Sequence, residues 1–336
     1  MERVRLGIIG CGNMGRYHGR LFTQNVPEAE ICALADSDPD NLASFIANVF
    51  PDDKQLEATF TDYRQMLETV PLDGVVIVSP HAHHFQQAMD AMSAGCHVLL
   101  EKPMVIKTED AQTLIRHARN LGRVISVAFQ GPFSREFQYI RNVVATGQLG
   151  EISLVTGICT QNWIENVRGT WRTQPALSGG GNLYDSGAHM FNGMLYLTGL
   201  AATEVFAFIE NKGEHVDVIS SVSMRFNSGA LGTAAVTGDA SVMEEGIYIQ
   251  GTRGAAKVSI YGGGKLEHWQ GKELVKYPVV PSTSSVQQNF VDCIRGRATT
   301  PSPGLLGLRL ARLMDATYES GRTGKVVQVV ADAAEE

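Results

Sequence analysis

An apolar strand runs straight into a glycine turn and then a helix: VRLGIIG (4–10), GCGNMG (10–15) and NMGRYHGRLFTQ (13–24). No other feature of the chain constrains the fold as strongly. G-x-G-x-x-G is common in glycine-rich turns, but between a strand and a helix each glycine has its own task. Gly10 permits the tight turn, Gly12 lets the backbone approach a pyrophosphate, and Gly15 lets helix and strand pack closely. The helix N-terminus adds the positive end of its dipole. Asp36 closes the next strand, AEICALAD (29–36). It stands at the ~20-residue offset of the carboxylate that accepts from a ribose 2′-hydroxyl. A carboxylate there repels a 2′-phosphate, and no arginine follows it, so the expected cofactor is NAD rather than NADP.

Strand and helix continue to alternate as far as residue 129. Asp38-Pro39 opens a helix, GVVIVSP (74–80) reads as a strand covered on both faces, and HAHHFQQAMDAMSAG (81–95) as a helix. HVLLEKP, TEDAQTLIRHARNLG and RVISVAF repeat the pattern. This rhythm is that of a doubly wound parallel sheet, a Rossmann domain over residues 1–128. From residue 129 the pattern changes. A helix (134–150), a strand (151–161), a loop and a helix from Asn182 to Thr198 precede a series of β-like runs between 204 and 280. Turn signals such as NSG (227–229) and GGGK (262–265) point to antiparallel pairing. Residues 129–336 are therefore expected to form an α+β domain on a large, mainly antiparallel open sheet. It would bind substrate and support oligomerisation, and helices at 284–296 and 304–321 would close the chain.

The 336 residues suffice for two domains, and a net charge of −7 argues against a nucleic-acid binder. No run reaches the ~18 apolar residues of a membrane span. Five scattered cysteines without a C-x-x-C pair suit reduced thiols rather than a disulfide framework, so the expected compartment is cytoplasmic.

Two stretches carry chemistry. HVLLEKPMVIK (97–107) delivers Glu101 and Lys102 at a strand end and stops at Pro103. Ligands of open α/β sheets bind outside the carboxyl ends of strands, and proline restricts the residue before it. GGGNLYDSGAHMF (179–191) puts Asp185 and His189 four apart, on one face of the expected helix. Histidine exchanges a proton near neutrality, and an aspartate can orient it or grip a hydroxyl. Taken alone, D-x-x-x-H reads first as a structural pair. The three glycines ahead of it imply close backbone approach to something. Trp163 and Trp171 offer faces to a sugar ring, while Arg168 and Arg172 offer charge to a carboxylate or phosphate. A metal at His81, His83 and His84 is set aside, since no cysteine or carboxylate ligand accompanies them.

GCGNMG, GCHVLLEKPM, WRTQPALSGGGNLYDSGAH and NFVDCIRGR…ATYESGRTGKVV occur in one order from about residue 4 to residue 330. Together they resemble the Gfo/Idh/MocA family of glucose–fructose oxidoreductase and inositol dehydrogenase. The resemblance implies an NAD-dependent oxidoreductase acting on a secondary alcohol of a sugar, cyclitol or sugar derivative. It implies catalytic roles for Lys102, His189 and Asp185, with His189 as principal base, Lys102 as proton partner and Asp185 as orienter. Free lysine has a pKa of about 10.4, and acting near neutrality requires a fall of roughly two to three units. The expected cofactor residues are Gly10, Gly12, Asn13, Met14 and Gly15, then Asp36, Ser37, Ser79, Pro80 and His81, and finally Glu101, Lys102 and Gln130. In the family Glu101 corresponds to the residue meeting the nicotinamide ribose, and Trp171-Arg172 to the loop beside the substrate. Substrate contacts are thus expected from Lys102, Trp163, Arg168, Trp171, Arg172, Asp185 and His189. Gly131-Pro132 stand where the family carries a basic residue, so that contact is either missing or supplied by Arg135 or Arg168. A homodimer or homotetramer is expected. Two other functions are alternatives: a redox-neutral enzyme that retains its NAD while it cleaves a glycosidic bond or epimerises, and a non-catalytic cofactor-binding sensor, against which Lys102, Asp185 and His189 argue because a sensor needs no base.

Overall fold

Leu6 and Ile8, Val75–Ile77 and Val98–Leu100 are completely buried, as strands covered on both faces must be. In the computed structural model, which describes residues 2–50, 56, 58–277 and 284–330, these runs form a six-stranded parallel sheet. Its strands are β1 (Val4–Ile9), β2 (Ala29–Ala35), β3 (Thr59–Phe60), β4 (Gly74–Ile77), β5 (His97–Leu100) and β6 (Ile125–Val127). They lie in the order β3-β2-β1-β4-β5-β6, with the reversal beside β1 that marks a dinucleotide crevice. The helices between them are α1 (Asn13–Asn25), α2 (Pro39–Val49), α3 (Tyr63–Thr69), α4 (His84–Ser93) and α5 (Thr108–Leu121). Asp38 caps α2 by accepting from Asp40 N, with Pro39 at the first helical position. Before α4, His81–His83 form a 3₁₀ turn, so the helix expected from residue 81 starts three residues later.

The second sheet has nine strands, and its helices are α6 (Arg135–Ala145), α7 (Trp163–Val167), α8 (Pro175–Ser178), α9 (Asn182–Asp185) and α10 (Gly187–Thr198). Its strands are β7 (Ile152–Thr160), β8 (Ala202–Glu210), β9 (Ile219–Phe226), β10 (Leu231–Thr237), β11 (Glu244–Gly251), β12 (Gly254–Val258), β13 (Leu266–Gln270) and β14 (Glu273–Leu274). The chain ends through α11 (Val286–Ile294), α12 (Gly304–Thr323) and β15 (Val327–Gln328). The strand order is β14-β13-β12-β11-β7-β10-β9-β8-β15, and only the β7–β10 pairing is parallel among these described strands. Strict alternation of buried and exposed residues along β9 and β10 shows one face packed and the other open. The strand expected at 273–280 is confined to its first two residues, and residues 278–280 lie outside the described ones.

Two compact units result, and they do not follow a single cut after residue 128. The first takes the described residues up to Val105, with Glu109–Ala128 and Ser284–Leu305; the second takes Ile106–Thr108 and the remainder. The helix at 284–296, expected in the second domain, therefore belongs to the first. Phe290 and Ile294 fill the space over Gly74 on β4, where a Cβ would come within 2.9 Å of Ile294 Cδ1. Gln287 bonds His18 at 3.0 Å, and Ser302 accepts from Val127 N at 2.9 Å beside β6. No helix among the described residues is long and apolar enough to cross a membrane.

Candidate active site

In the first unit the three fingerprint glycines have distinct surroundings. Gly10 sits at φ +95°, where an added Cβ would lie 2.8 Å from the Val78 carbonyl carbon. A Cβ on Gly15 would lie 2.2 Å from Gly10 O, which is the close helix–strand packing expected of it. Above Gly12 there is nothing within 4 Å. That open ground lies at the cap of the 13-residue helix α1, whose first turn holds no acidic residue. Arg16, not singled out from the sequence, donates to Cys11 O at 3.1 Å and to the exposed Asn13 at 2.6 Å. It brings a positive charge to this turn; Met14 is half-buried beside it. Asp36 accepts from Cys11 N at 2.7 Å and from Asp38 N at 2.9 Å, so it ties the glycine turn to the end of β2, next to the exposed Ser37. An open approach, a helix N-terminus and a carboxylate one strand away are a donor and acceptor set suited to a dinucleotide.

At the ends of β4 and β5, Ser79 donates to Gln87 at 2.6 Å, His81 is buried, and Pro80 lies between them half-buried. His84 spans two loops, with Nδ1 at 2.9 Å from Pro103 O and Nε2 at 3.0 Å from Ser79 O. Burial lowers its pKa, against the raising effect of those two carbonyls. Both ring nitrogens thus face backbone carbonyls, and the single N–H of the neutral ring donates to one of them. Lys102 is half-buried at the carboxyl end of β5. Glu101, expected to face the ribose, turns inward instead. Oε1 lies 2.9 Å from His18 Nε2, and Oε2 accepts from Lys102 N at 3.0 Å. Burial alone would raise its pKa, but the His18 hydrogen bond and the charges of His18 and Lys102 outweigh it and hold the carboxyl down to about 2.

In the second unit the helix expected from Asn182 to Thr198 is broken at Ser186. α9 ends at Asp185, α10 starts at Gly187, and His189 N bonds Ser186 O at 3.1 Å in a tighter turn. Gln161 reaches in to bond Ser186 Oγ and, at 3.2 Å, Asn182 Oδ1. Asp185 is buried, and its Oδ2 accepts from Trp163 Nε1 at 2.8 Å and Arg172 Nε at 3.1 Å. The Arg172 guanidinium also lies 4.5 Å above the Trp171 ring. The His189 ring stands edgewise between Phe129 (5.6 Å between centroids) and Tyr261 (5.0 Å). Tyr261 bonds Ser186; burial first, then Cys159, Asp185 and Glu245, push its phenol pKa up. It therefore stays protonated beside the imidazole.

Several expectations are corrected here. Arg168 is half exposed and gives its guanidinium to Glu165 at 2.8 Å and Glu214 at 3.0 Å, carboxylates of the chain itself. The triple glycine approaches the protein's own chain: Ile106 packs on Gly179 (φ +77°), Tyr318 on Gly180, and the Asp217 backbone on Gly181. Gly131-Pro132 form a buried 3₁₀ turn whose side-chain space is filled by the Phe137 ring, 2.5 Å from a Cβ on Gly131. Gln130 is exposed just before it. Tyr261 and Gln161 were missed because no local pattern links them to Ser186, which they meet from remote segments, the turn between β12 and β13 and the residue after β7.

Residues 4–129 match the model of an oxidoreductase family with an NAD-binding Rossmann fold, and residues 137–257 match the GFO/IDH/MocA C-terminal domain. The chain belongs to the Gfo/Idh/MocA family. Its first unit thus carries that family's NAD-binding domain. Among relatives, it is 32% identical over 206 residues to D-glucoside 3-dehydrogenase of Escherichia coli, a match covering 60% of this chain and 56% of that one. It thus spans little more than half the length of that relative. It is 22% identical to the NADP⁺-dependent scyllo-inositol 2-dehydrogenase of Bacillus subtilis, covering 98% of this chain and 97% of that enzyme. Among structures, the WlbA dehydrogenase of Bordetella pertussis, solved with NADH and UDP-GlcNAcA, superposes with a TM-score of 0.85 at 23% identity. That match covers 98% of this chain and 100% of the other, and it shows that the two share a fold.

Proposed function

We propose that this Gfo/Idh/MocA protein is an NAD-dependent dehydrogenase that oxidises a secondary alcohol of a sugar, cyclitol or sugar derivative. The observation that carries the reading lies within the first unit. Lys102 stands at the carboxyl end of β5, in the same sheet whose β1–α1 turn leaves the approach above Gly12 open. Gly10, Gly12, Gly15 and the start of α1 would hold the pyrophosphate, and Asp36 the adenosine ribose. Asp36 Oδ1 already accepts from Asp38 N and, at 3.4 Å, from Asn41 Nδ2, whereas Oδ2, bonded by Cys11 N, can accept a further hydrogen bond; the carboxylate's charge disfavours a 2′-phosphate.

Bound nicotinamide supplies the hydride acceptor. The remaining work falls to the chain's own groups. His189 takes the proton from the alcohol oxygen, and Phe129 and Tyr261 fix the plane of its ring. Lys102, at the carboxyl end of β5, has the role of proton partner that the family resemblance implies. Asp185, held by Trp163 and Arg172, orients the imidazole or a neighbouring substrate hydroxyl. General acid–base groups of this kind contribute typically about 10²–10⁴-fold. Lys102→Ala and His189→Ala should therefore each lower kcat about 100-fold or more.

A panel of sugars, cyclitols and sugar acids with NAD, read by NADH absorbance, tests the reading. Stoichiometric NADH release with one class of alcohol supports it. Product formation without NADH release points to a redox-neutral enzyme, and NAD binding without turnover to a sensor. We also propose a dimer or tetramer, because Phe208 (68% exposed) and Leu231 (48%) share the open face of the second sheet. Light scattering that gives a monomer at micromolar concentration would refute it.

A further inference from the structure

Asp217 is a buried carboxylate, 3% exposed, that the chemistry above leaves unused. Three successive backbone amides converge on this one residue. Gly181 N donates to Oδ1 at 2.6 Å, Asn182 N to the Asp217 carbonyl at 3.0 Å, and Leu183 N to Oδ2 at 2.8 Å. The Tyr318 hydroxyl, from α12, donates to Oδ1 at 2.6 Å. These amides open α9, which at four residues is too short to hold itself by its own hydrogen bonds and whose cap has no side-chain acceptor of its own. The chains are in close contact. A Cβ on Gly181 would lie 2.0 Å from Asp217 O, and one on Gly180 would lie 2.2 Å from the Tyr318 hydroxyl. Tyr318 stacks on Tyr184 at 5.7 Å, and the Tyr184 hydroxyl donates to Ile106 O at 2.5 Å. Groups remote in sequence thus fix the four residues that end in Asp185.

We propose that Asp217 is a positioning residue for Asp185, acting through α9. The proposal rests on the dehydrogenase reading for what Asp185 does, though not for how it is held. Every partner of the Asp217 side chain is a donor, so both of its oxygens must accept. Asparagine has the same shape but presents one NH₂, which faces either Leu183 N–H or the Gly181–Tyr318 pair. Tyr318→Phe removes a single donor and leaves both amides with acceptors.

The test uses the full-length protein and the Asp217→Asn and Tyr318→Phe variants. It reads amide exchange of residues 180–186 by mass spectrometry, NAD affinity by titration, and kcat and KM for the best alcohol of the panel. Asp217→Asn should speed exchange in 180–186 by about tenfold or more, leaving the other peptides of the second unit near wild type. It should lower kcat about tenfold or more, with NAD affinity unchanged within about twofold. Tyr318→Phe should move both quantities in the same direction but only about two- to threefold, and it carries the test if Asp217→Asn does not fold. Wild-type kcat in Asp217→Asn, or exchange accelerated evenly across the second unit, would overturn the proposal. If the wild type oxidises no alcohol, the dehydrogenase reading falls. Exchange at 180–186 then decides by itself: local acceleration upholds the holding of α9 by Asp217, and unchanged exchange overturns it.

Discussion

Asp36 has a structural task beside the cofactor contact proposed for it. Its oxygens accept from Cys11 N and Asp38 N, which makes it a turn residue, and its position at the end of β2 is the one from which we propose that it meets the adenosine ribose. Asp36→Asn should raise the NADP-to-NAD ratio of kcat/KM by about tenfold or more, because the charge opposing a 2′-phosphate is gone. The ratio is read in one preparation, so any loss of stability from the altered turn cancels. Glu101 gives a second prediction. Its folded carboxyl is more acidic than an unfolded one, about 2 against 4.5, chiefly because the His18 hydrogen bond overcomes the effect of burial. The stability it adds is therefore complete above about pH 4.5 and is lost as the pH falls toward 2. Melting temperatures should fall more steeply over that window in the wild type than in Glu101→Gln; parallel curves would contradict the assignment. That Glu101 and Lys102 stand at a strand end was legible in HVLLEKP. That the carboxylate turns to His18 was not, because His18 lies 83 positions away.

The β1–α1 turn shows how far a short motif determines a local structure. Gly15 and Gly12 are both glycines of the same turn, yet their surroundings differ: backbone at 2.2 Å over one and open space over the other. Gly15→Ala should lower stability by about 1–3 kcal/mol, since the Gly10 carbonyl must move. Gly12, at φ −67°, accepts alanine without strain. Gly12→Ala should lower the melting temperature by no more than about 2–4 °C, because exchanging glycine for alanine at a helix cap costs about 1 kcal/mol or less. It should nonetheless weaken NAD binding about tenfold or more, as the backbone can no longer approach the pyrophosphate. Calorimetry and titration on the two variants separate a packing glycine from a binding one, and equal effects on both quantities would sink the distinction. The α9–α10 region is the contrasting case. Asp185 and His189 were named from their spacing, but a regular helix was the wrong frame for them. Gln161 and Asp217 bind Ser186 and the residues before Asp185 from outside, and these bonds compensate for the broken helical ladder.

Chain order and compact units differ in this protein, because the first unit is completed by residues from near the C-terminus. Phe290 is fully buried, over β4. Phe290→Ala should destabilise the first unit by about 3–5 kcal/mol. NAD stabilises the unit that binds it by mass action. In calorimetry, the transition that Phe290→Ala lowers should therefore be the one that NAD raises; a shift confined to a transition insensitive to NAD would refute the assignment. Strand–helix alternation, the fingerprint turn, Asp36 and the types of residue offered to the chemistry were determined by the sequence alone. Each is written in short-range periodicity or in turn residues whose backbone preferences are local. Only the tertiary structure decided that 284–305 complete the first unit, that Tyr261 lies against His189, and that Asp217 starts α9. Those contacts join residues tens to hundreds of positions apart, and no local period in a chain records which remote side chain will fill a given space.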